Sequence, residues 1–174
     1  MLKVYLNHAQ TTTIAAVRSL THPSVDEIRN LPVASGSRLI VVKIDSTSLE
    51  DPKDAAAVLQ DQYGIAKLDT VIANAGIGND WNLVAQTPIE EVESHFKVNS
   101  VGPFALYLAM RPLLLAAAEP KFVVVSTELG SIGLQGQRTI KDVAYGMSKA
   151  AVNFFVGKIH HEEPKLTAFP IHPG

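Results

Sequence analysis

The chain has 174 residues, 47% of them hydrophobic and 18% charged, with 15 basic and 17 acidic side chains and no cysteine. That length suits one domain, residues 1–174, with a sizeable core, and high apolar content with little net charge excludes a disordered chain. Without Cys there is neither a disulfide framework nor a thiolate site, and the balanced charge leaves no basic footprint for nucleic acid.

Along the chain, short β-rich runs alternate with helical stretches. Residues 2–9 read as the end of a helix, and Thr12–Val17 (TTIAAV) as a buried strand, with Arg18 at its end. Residues 38–44 (RLIVVKI) form a second expected strand. Asp51 with Pro52 behind it signals a helix start, running to Tyr63 and stopped by Gly64. Residues 69–73 (DTVIA) read as a third strand. Thr87, Pro88 and two glutamates repeat the helix-start signal, with Thr87 as the cap and Pro88 in the first position. This helix is expected to reach about Ala118 before Pro120 ends it. Its most apolar part, 104–118, is interrupted by Arg111 and Pro112 and is shorter than the roughly 20 residues of a membrane span. Lys121–Val125 (KFVVV) reads as a fourth strand, 143–163 as a long helix, and 166–171 (LTAFPI) as a fifth strand that Pro170 consigns to an edge or a strand end. Strands that are continuous apolar runs, alternating with helices, predict an α/β fold with a doubly wound parallel sheet. With no sustained apolar segment near Met1 to act as a secretion signal, a soluble cytoplasmic protein is expected.

Three places could carry chemistry. Tyr145 and Lys149 stand at i and i+4, on one face of the last helix. An ammonium there favours phenolate, which predicts a lowered Tyr145 pKa and a side chain able to act as acid or base. Ser126 and Thr127 follow the fourth strand, at the carboxyl end where open α/β sheets bind ligands. Asn74-Ala75-Gly76 follows the third strand, and its small residues allow a flat ligand close to the backbone. Each alone is matched by a bland alternative: a Tyr–Lys pair on a solvated helix face, or a polar turn after a strand. The six histidines are scattered without ligand spacing, so no metal site is expected.

Together, and in this order, Asn74-Ala75-Gly76, Asn99, Ser126/Thr127, Tyr145-x-x-x-Lys149 and Pro173-Gly174 resemble the short-chain dehydrogenase/reductase family. Longer stretches, such as VIANAGI at 71–77 and AYGMSKAAV at 144–152, are similar to its fungal branch around norsolorinic acid ketoreductases. The resemblance implies a Rossmann-like fold and NADPH-dependent reduction of a ketone, with aromatic polyketides among the substrates of that branch. It implies Tyr145 as general acid and Lys149 as the residue that tunes it and holds the nicotinamide ribose. Thr127, three residues before Gly130, takes the hydroxyl role, with Ser126 as the alternative. Asn99 would anchor a water through its backbone carbonyl. Pro103, four residues on, has no N–H to bond that carbonyl, and it should also kink the helix. On the cofactor side the resemblance implies Asp45, Asn74, Ala75, Gly76, Pro173 and Gly174. Arg18, where an acid would select NAD, instead suits the 2′-phosphate of NADP.

The pattern departs from the family at both ends. No G-x-x-x-G-x-G turn occurs, since Gly36 is the only glycine before Gly64. The expectation is a Rossmann domain lacking its first strand and phosphate-binding turn, and stopping at Pro173-Gly174 before the substrate-covering segments. Cofactor binding should then be weakened and turnover weak or absent. The strands at Thr12–Val17 and 69–73 should either pair directly or leave the chain unstable. A rival reading is a non-catalytic module that acts by forming a homodimer or homotetramer. Its contact would be made through the 88–118 and 143–163 helices, with Leu106, Leu108, Leu113 and Leu114 as apolar contacts.

Overall fold

The computed structural model describes residues 1–137 and 140–174. Five strands lie among them, β1 (Thr12–Val17), β2 (Arg38–Lys43), β3 (Thr70–Ala73), β4 (Lys121–Val125) and β5 (Thr167–Ile171). The helices are α1 (Leu2–Leu6), α2 (Ser24–Arg29), α3 (Asp51–Asp61), α4 (Ile89–Phe96), α5 (Gly102–Leu115) and α6 (Val143–Glu162). All strand pairs are parallel, as the βα alternation predicts. Only α2 and the short 3-10 turns lack a counterpart in the sequence reading.

The core forms where the buried faces of β2, β3 and β4 meet α3, α5 and α6. Ile40 and Val42, Val71 and Ala73, and Phe122 and Val124 alternate inward along their strands. They pack on Tyr107, Met110, Leu113 and Leu114 of α5 and on Val152, Val156 and Ile159 of α6. Phe122 is fully buried, with its ring 5.3 Å from that of Tyr107. Burying it contributes about 2–3 kcal/mol, so truncating it to Ala would remove that and leave a cavity as well. The helical run 89–115 is 27 residues long and by length and composition could cross a membrane, but it carries Met110, Leu113 and Leu114 into this core.

Pro170 sits in β5 opposite Val124, on the edge strand of the order β3-β4-β5, where its missing N–H can face outward. The two expected helix caps are not capping bonds. Thr87 Oγ1 donates to the Leu83 carbonyl, and Pro88 itself stands at the N-cap in extended conformation. Asp51 lies one residue inside α3 and works as a hub: its carboxylate accepts from Lys43 Nζ, the Asp45 N–H and Ser48 Oγ. Leu113 and Leu114 are core residues and not partner contacts. Val101, Phe104 and Leu108 are the exposed apolar side chains of that region.

Around Pro103 the helix takes a π-helical turn over Lys97–Val101. Proline cannot donate to the Asn99 carbonyl, and one wider turn is how the backbone absorbs this. The turn joins α4 to α5 without breaking the helix, so the expected kink appears as a bulge.

The expected direct pairing of β1 with β3 is not found. β1 pairs with β2 over its whole length and β3 with β4, and no ladder joins the two sheets. A groove of 910 Å³ separates them.

Candidate active site

A cleft of 410 Å³ opens at the carboxyl ends of β3 and β4. Asn74, Gly76, Ile77 and Gly78 line one side, Val125, Thr127 and Leu129 another, with Tyr145 and Lys149 from α6 and Trp81 from the loop before α4. Helical periodicity puts Tyr145 and Lys149 on the same face, and Gly130 lets that face come close. A Cβ on Gly130 would lie 2.8 Å from the Lys149 carbonyl carbon, so any side chain there would push α6 off the strand ends.

Lys149 is 3% exposed, and its Nζ donates to the Val125 carbonyl at 2.6 Å. Burial holds its pKa below the ordinary lysine value. Nζ lies 5.7 Å from the centre of the Tyr145 ring. The expected lowering of the tyrosine is not found. Burial, and then the nearby Asp142 carboxylate, push the Tyr145 phenol above its usual pKa of 10.0. Desolvating a phenolate and facing it with a carboxylate outweigh an ammonium that is itself engaged with a backbone carbonyl. Tyr145 therefore holds its proton at neutral pH, the state an acid needs. Asp142 is also held above the usual carboxylate range by burial.

Asn99 is fully buried, and its side chain clamps the loop after β3. Oδ1 accepts from the Ile77 N–H at 2.8 Å, and Nδ2 donates to the Ile77 carbonyl at 2.9 Å and to Ser148 Oγ at 3.0 Å. Ser148 Oγ donates in turn to the Tyr145 carbonyl at 2.7 Å. The loop, the π-turn and α6 are thus one hydrogen-bonded unit, reinforced by Ser100 Oγ donating to the Ser148 carbonyl. Sequence reasoning looked to the Asn99 backbone and missed this side-chain role. It also passed over Ser148, although that residue stands inside the Tyr–Lys motif.

The two hydroxyls after β4 separate cleanly. Ser126 is buried and donates to Asn153 Oδ1 at 2.7 Å, while Asn153 Nδ2 donates to the Gly130 carbonyl. Thr127 lines the cleft, and its Oγ1 accepts from the Leu129 N–H. Gly76 leaves room beside Asn99 and Lys149: a Cβ there would stand 3.2 Å from Asn99 Oδ1 and 3.5 Å from Lys149 Nζ. Asn74, Ala75 and Gly76 are exposed; Asn74 and Gly76 line the cleft, whereas Ala75 borders the groove between the two sheets. Arg18, Asp45, Pro173 and Gly174 lie outside the cleft lining. Arg18 is exposed at the end of β1, near enough to Asp45 to help hold that carboxyl low. The larger cause is Thr47, whose N–H and Oγ1 both donate to Asp45 Oδ1 at 2.8 Å. His95 is fully buried, with Nδ1 at 2.7 Å from the Glu91 carbonyl and its ring edge-on to Tyr145. Nothing in its spacing marked it in the sequence.

A parallel, doubly wound α/β fold with Tyr and Lys one helical turn apart, facing a hydroxyl at a strand end, defines a Rossmann-type class. A family model for short chain dehydrogenases matches residues 5–174, and the chain belongs to that family. It is 38% identical to the short-chain dehydrogenase srdF of Neurospora crassa, over 99% of this chain and 68% of that protein. It is 34% identical to the norsolorinic acid ketoreductase stcE of Emericella nidulans, over 100% of this chain and 66% of that protein. The chain thus spans about two thirds of the length of these relatives. Among solved structures, the KRED1-Pglu enzyme superposes with a TM-score of 0.81 at 22% identity, covering 99% of this chain and 66% of that one. An NADPH-bound carbonyl reductase from chicken fatty liver superposes with 0.79 at 24%, covering 92% and 67%.

Proposed function

We propose that the cleft reduces a ketone to an alcohol with NADPH. The observation that supports this most is the convergence of Tyr145, Lys149 and Thr127 on one cleft beside the small residue Gly76. A nicotinamide nucleotide fits that space by its chemistry: Asn74 and Gly76 bring backbone with little side-chain bulk to a flat ring, and Lys149 offers an ammonium for ribose hydroxyls. Such a cofactor, when bound, supplies hydride to the carbonyl carbon. Thr127 Oγ1 donates a hydrogen bond to the carbonyl oxygen and orients it. Tyr145 transfers its phenolic proton to that oxygen as the carbonyl π electrons move onto it, and the phenolate left behind is reprotonated from solvent. The buried Lys149 ammonium stabilises the negative charge on Tyr145 Oη at that moment. Asn99 and Ser148 hold the loop and α6 at the required separation.

Arg18 at the end of β1 suits a 2′-phosphate and favours NADPH over NADH. Residues 1–174 hold no G-x-x-x-G-x-G turn, so this stretch by itself brings fewer backbone N–H groups to a pyrophosphate. The similarity to norsolorinic acid ketoreductases points to aromatic polyketide ketones as the substrate class, and the chain acts in the cytoplasm.

The test is NADPH oxidation by the purified chain with an aromatic ketone, alongside NADPH quenching of Trp81, the single tryptophan, which borders the cleft. A slow rate that Tyr145→Phe abolishes at unchanged stability is expected. Equal rates in both proteins overturn the assignment. A second reading, a dimerising module without catalysis, is favoured by the exposure of Phe104, Leu108 and Phe154, the last 73% exposed, on α5 and α6. It predicts a homodimer or homotetramer by light scattering, with neither rate nor quenching.

A further inference from the structure

We propose that Gly78 and His95 form the seat of the Tyr145 ring and are positioning residues of the cleft, a role that rests on the reading of Tyr145 as the acid of a ketone reduction. Gly78 is exposed in the loop after β3, and its φ is not positive, so its backbone does not require a glycine. The phenol does. A Cβ at residue 78 would stand 3.3 Å from Tyr145 Cδ2 and 3.4 Å from Cε2, with Cγ next at 3.8 Å. A methyl group there would meet the Tyr145 ring first, and closer than two carbons pack at their best separation.

Whether the loop or the ring would give way depends on what holds each. Ile77, the residue before Gly78, is bonded to the Asn99 side chain through both its N–H and its carbonyl, so the loop backs away only by breaking that pair. The backbone of Tyr145 is fixed as well, because its carbonyl accepts from Ser148 Oγ, which itself accepts from Asn99 Nδ2. His95 meets the ring from α4, its imidazole edge-on to the phenol with centroids 6.5 Å apart. It is fully buried, and its Nδ1 lies 2.7 Å from the Glu91 carbonyl. A carbonyl only accepts, so Nδ1 carries the proton and the imidazole is tied to its own helix. His95 and Asn99 stand about one helical turn apart. One meets the ring of Tyr145, and the other, through Ser148, holds its backbone.

With loop, helix and imidazole held, the freedom left is in the Tyr145 side chain, and a methyl at residue 78 would turn the phenol. The hydroxyl, at the far end of the ring, would move most. Its neighbours in the cleft would not follow. Lys149 Nζ is bonded to the Val125 carbonyl, and Thr127 Oγ1 to the Leu129 N–H. Reacting groups tolerate displacements of only about 0.5 Å, so the absence of a side chain at residue 78 serves proton transfer. It does not serve folding. At a position whose backbone accepts any residue, alanine leaves the unfolded chain less freedom and does not destabilise. His95 acts by its shape: a phenylalanine would keep the wall and would also remove Nε2, which is buried without a hydrogen-bond partner among the described residues.

The test compares Gly78→Ala and Gly78→Val with Gly157→Ala, since a Cβ on Gly157 of α6 would meet nothing within 4 Å. Crystal structures of the variants and the unaltered chain locate the ring, and melting and steady-state kinetics with NADPH and an aromatic ketone accompany them. In Gly78→Ala the ring should move by about half an ångström while residues 76–79 stay in place. Its kcat should fall about tenfold or more at a KM within about twofold, and its melting temperature should hold or rise. Gly78→Val should displace the ring further and lower kcat further. Gly157→Ala should change neither. His95→Asn, which keeps a donor but removes the ring, should lower kcat, and His95→Phe should restore most of it. A loop that shifts while the ring stays, an unchanged kcat in Gly78→Ala, a melting temperature that falls with it, or equal rates in the two His95 variants would each overturn the proposal. If the unaltered chain reduces no ketone, the reductase reading fails. The crystal structures then decide the seat by themselves, a moved ring supporting it and a fixed ring overturning it.

Discussion

The half of the molecule built on β3, β4 and β5 is organised around buried polar groups, whereas the half built on β1 and β2 is nearly empty of them. In the first, Asn99, Ser100, Ser148 and Lys149 are all buried and all hydrogen-bonded to a loop, a turn, a helix or a strand end. In the second, β1 is nowhere fully buried and has one neighbour. Its sheet leans on the Asp51 hub, which ties the end of β2 to α3. Chemistry needs groups fixed to a fraction of an ångström, and interlocked hydrogen bonds supply that. The open half rests on that one hub and otherwise on strand pairing and packing.

Removing the clamp should break that contrast most. Asn99→Ala deletes three buried bonds and leaves the Ile77 N–H and carbonyl without partners. A destabilisation of about 3 kcal/mol is expected, at roughly 1 kcal/mol per bond. Urea denaturation measures it, and hydrogen exchange should show the loosening at 76–78 before it reaches β1. A loss under about 1 kcal/mol would mean that packing and not the clamp holds the cleft together.

Much of this was readable from composition and spacing, and the failures are informative. Apolar runs bounded by turn residues locate all five strands to within a residue, because a parallel sheet covered on both sides demands them. Tyr145, Lys149 and Thr127 do share a cleft, since helix periodicity and strand-end placement are local rules. Arg18, Asp45 and Ala75 fall outside its lining, as does the chain end at Pro173-Gly174, because the width and shape of a cleft are set by tertiary packing. The Tyr145 pKa went the wrong way for the same reason. Spacing gives the distance from a lysine but not the burial, nor a carboxylate three residues upstream at Asp142. Thr87 and Asp51 looked like caps because their residue types are right for caps. Whether such an oxygen bonds the helix end or another partner depends on the loop it enters.

A middle-sized effect tests the open half through Asp51. Its carboxyl is held below the ordinary 3.8, first by the Asp45 N–H and then by Lys43. The folded state therefore prefers the ionised form. The stabilisation is complete above 3.8, the unfolded value, and is lost as pH falls through the lower folded pKa. In that window the unfolded chain takes up the proton first, so stability rises with pH. Asp51→Asn should lower stability by about 2 kcal/mol at neutral pH and flatten the acid limb of a stability–pH curve. A residual slope should remain from Asp45, whose shift has the same sign. An unchanged acid limb would remove Asp51 from the role of hub.

The smallest effects separate the two hydroxyls after β4. Ser126→Ala loses one buried bond, to Asn153, and should destabilise by about 1 kcal/mol while leaving ketone reduction intact. Thr127→Val keeps the shape and removes the oxygen that faces the cleft. Its loss of stability should be smaller, since the bond from the Leu129 N–H is long at 3.3 Å, yet its rate should fall by about a hundredfold, as when one donor to a developing oxyanion is removed. Thr127→Ser should retain most of the rate, because the donor survives without its methyl. The opposite pattern, a rate lost in Ser126→Ala and kept in Thr127→Val, would mean that the side chain now bonded to Asn153 turns into the cleft when substrate binds. The supposedly rigid half of the molecule would then be the one that moves.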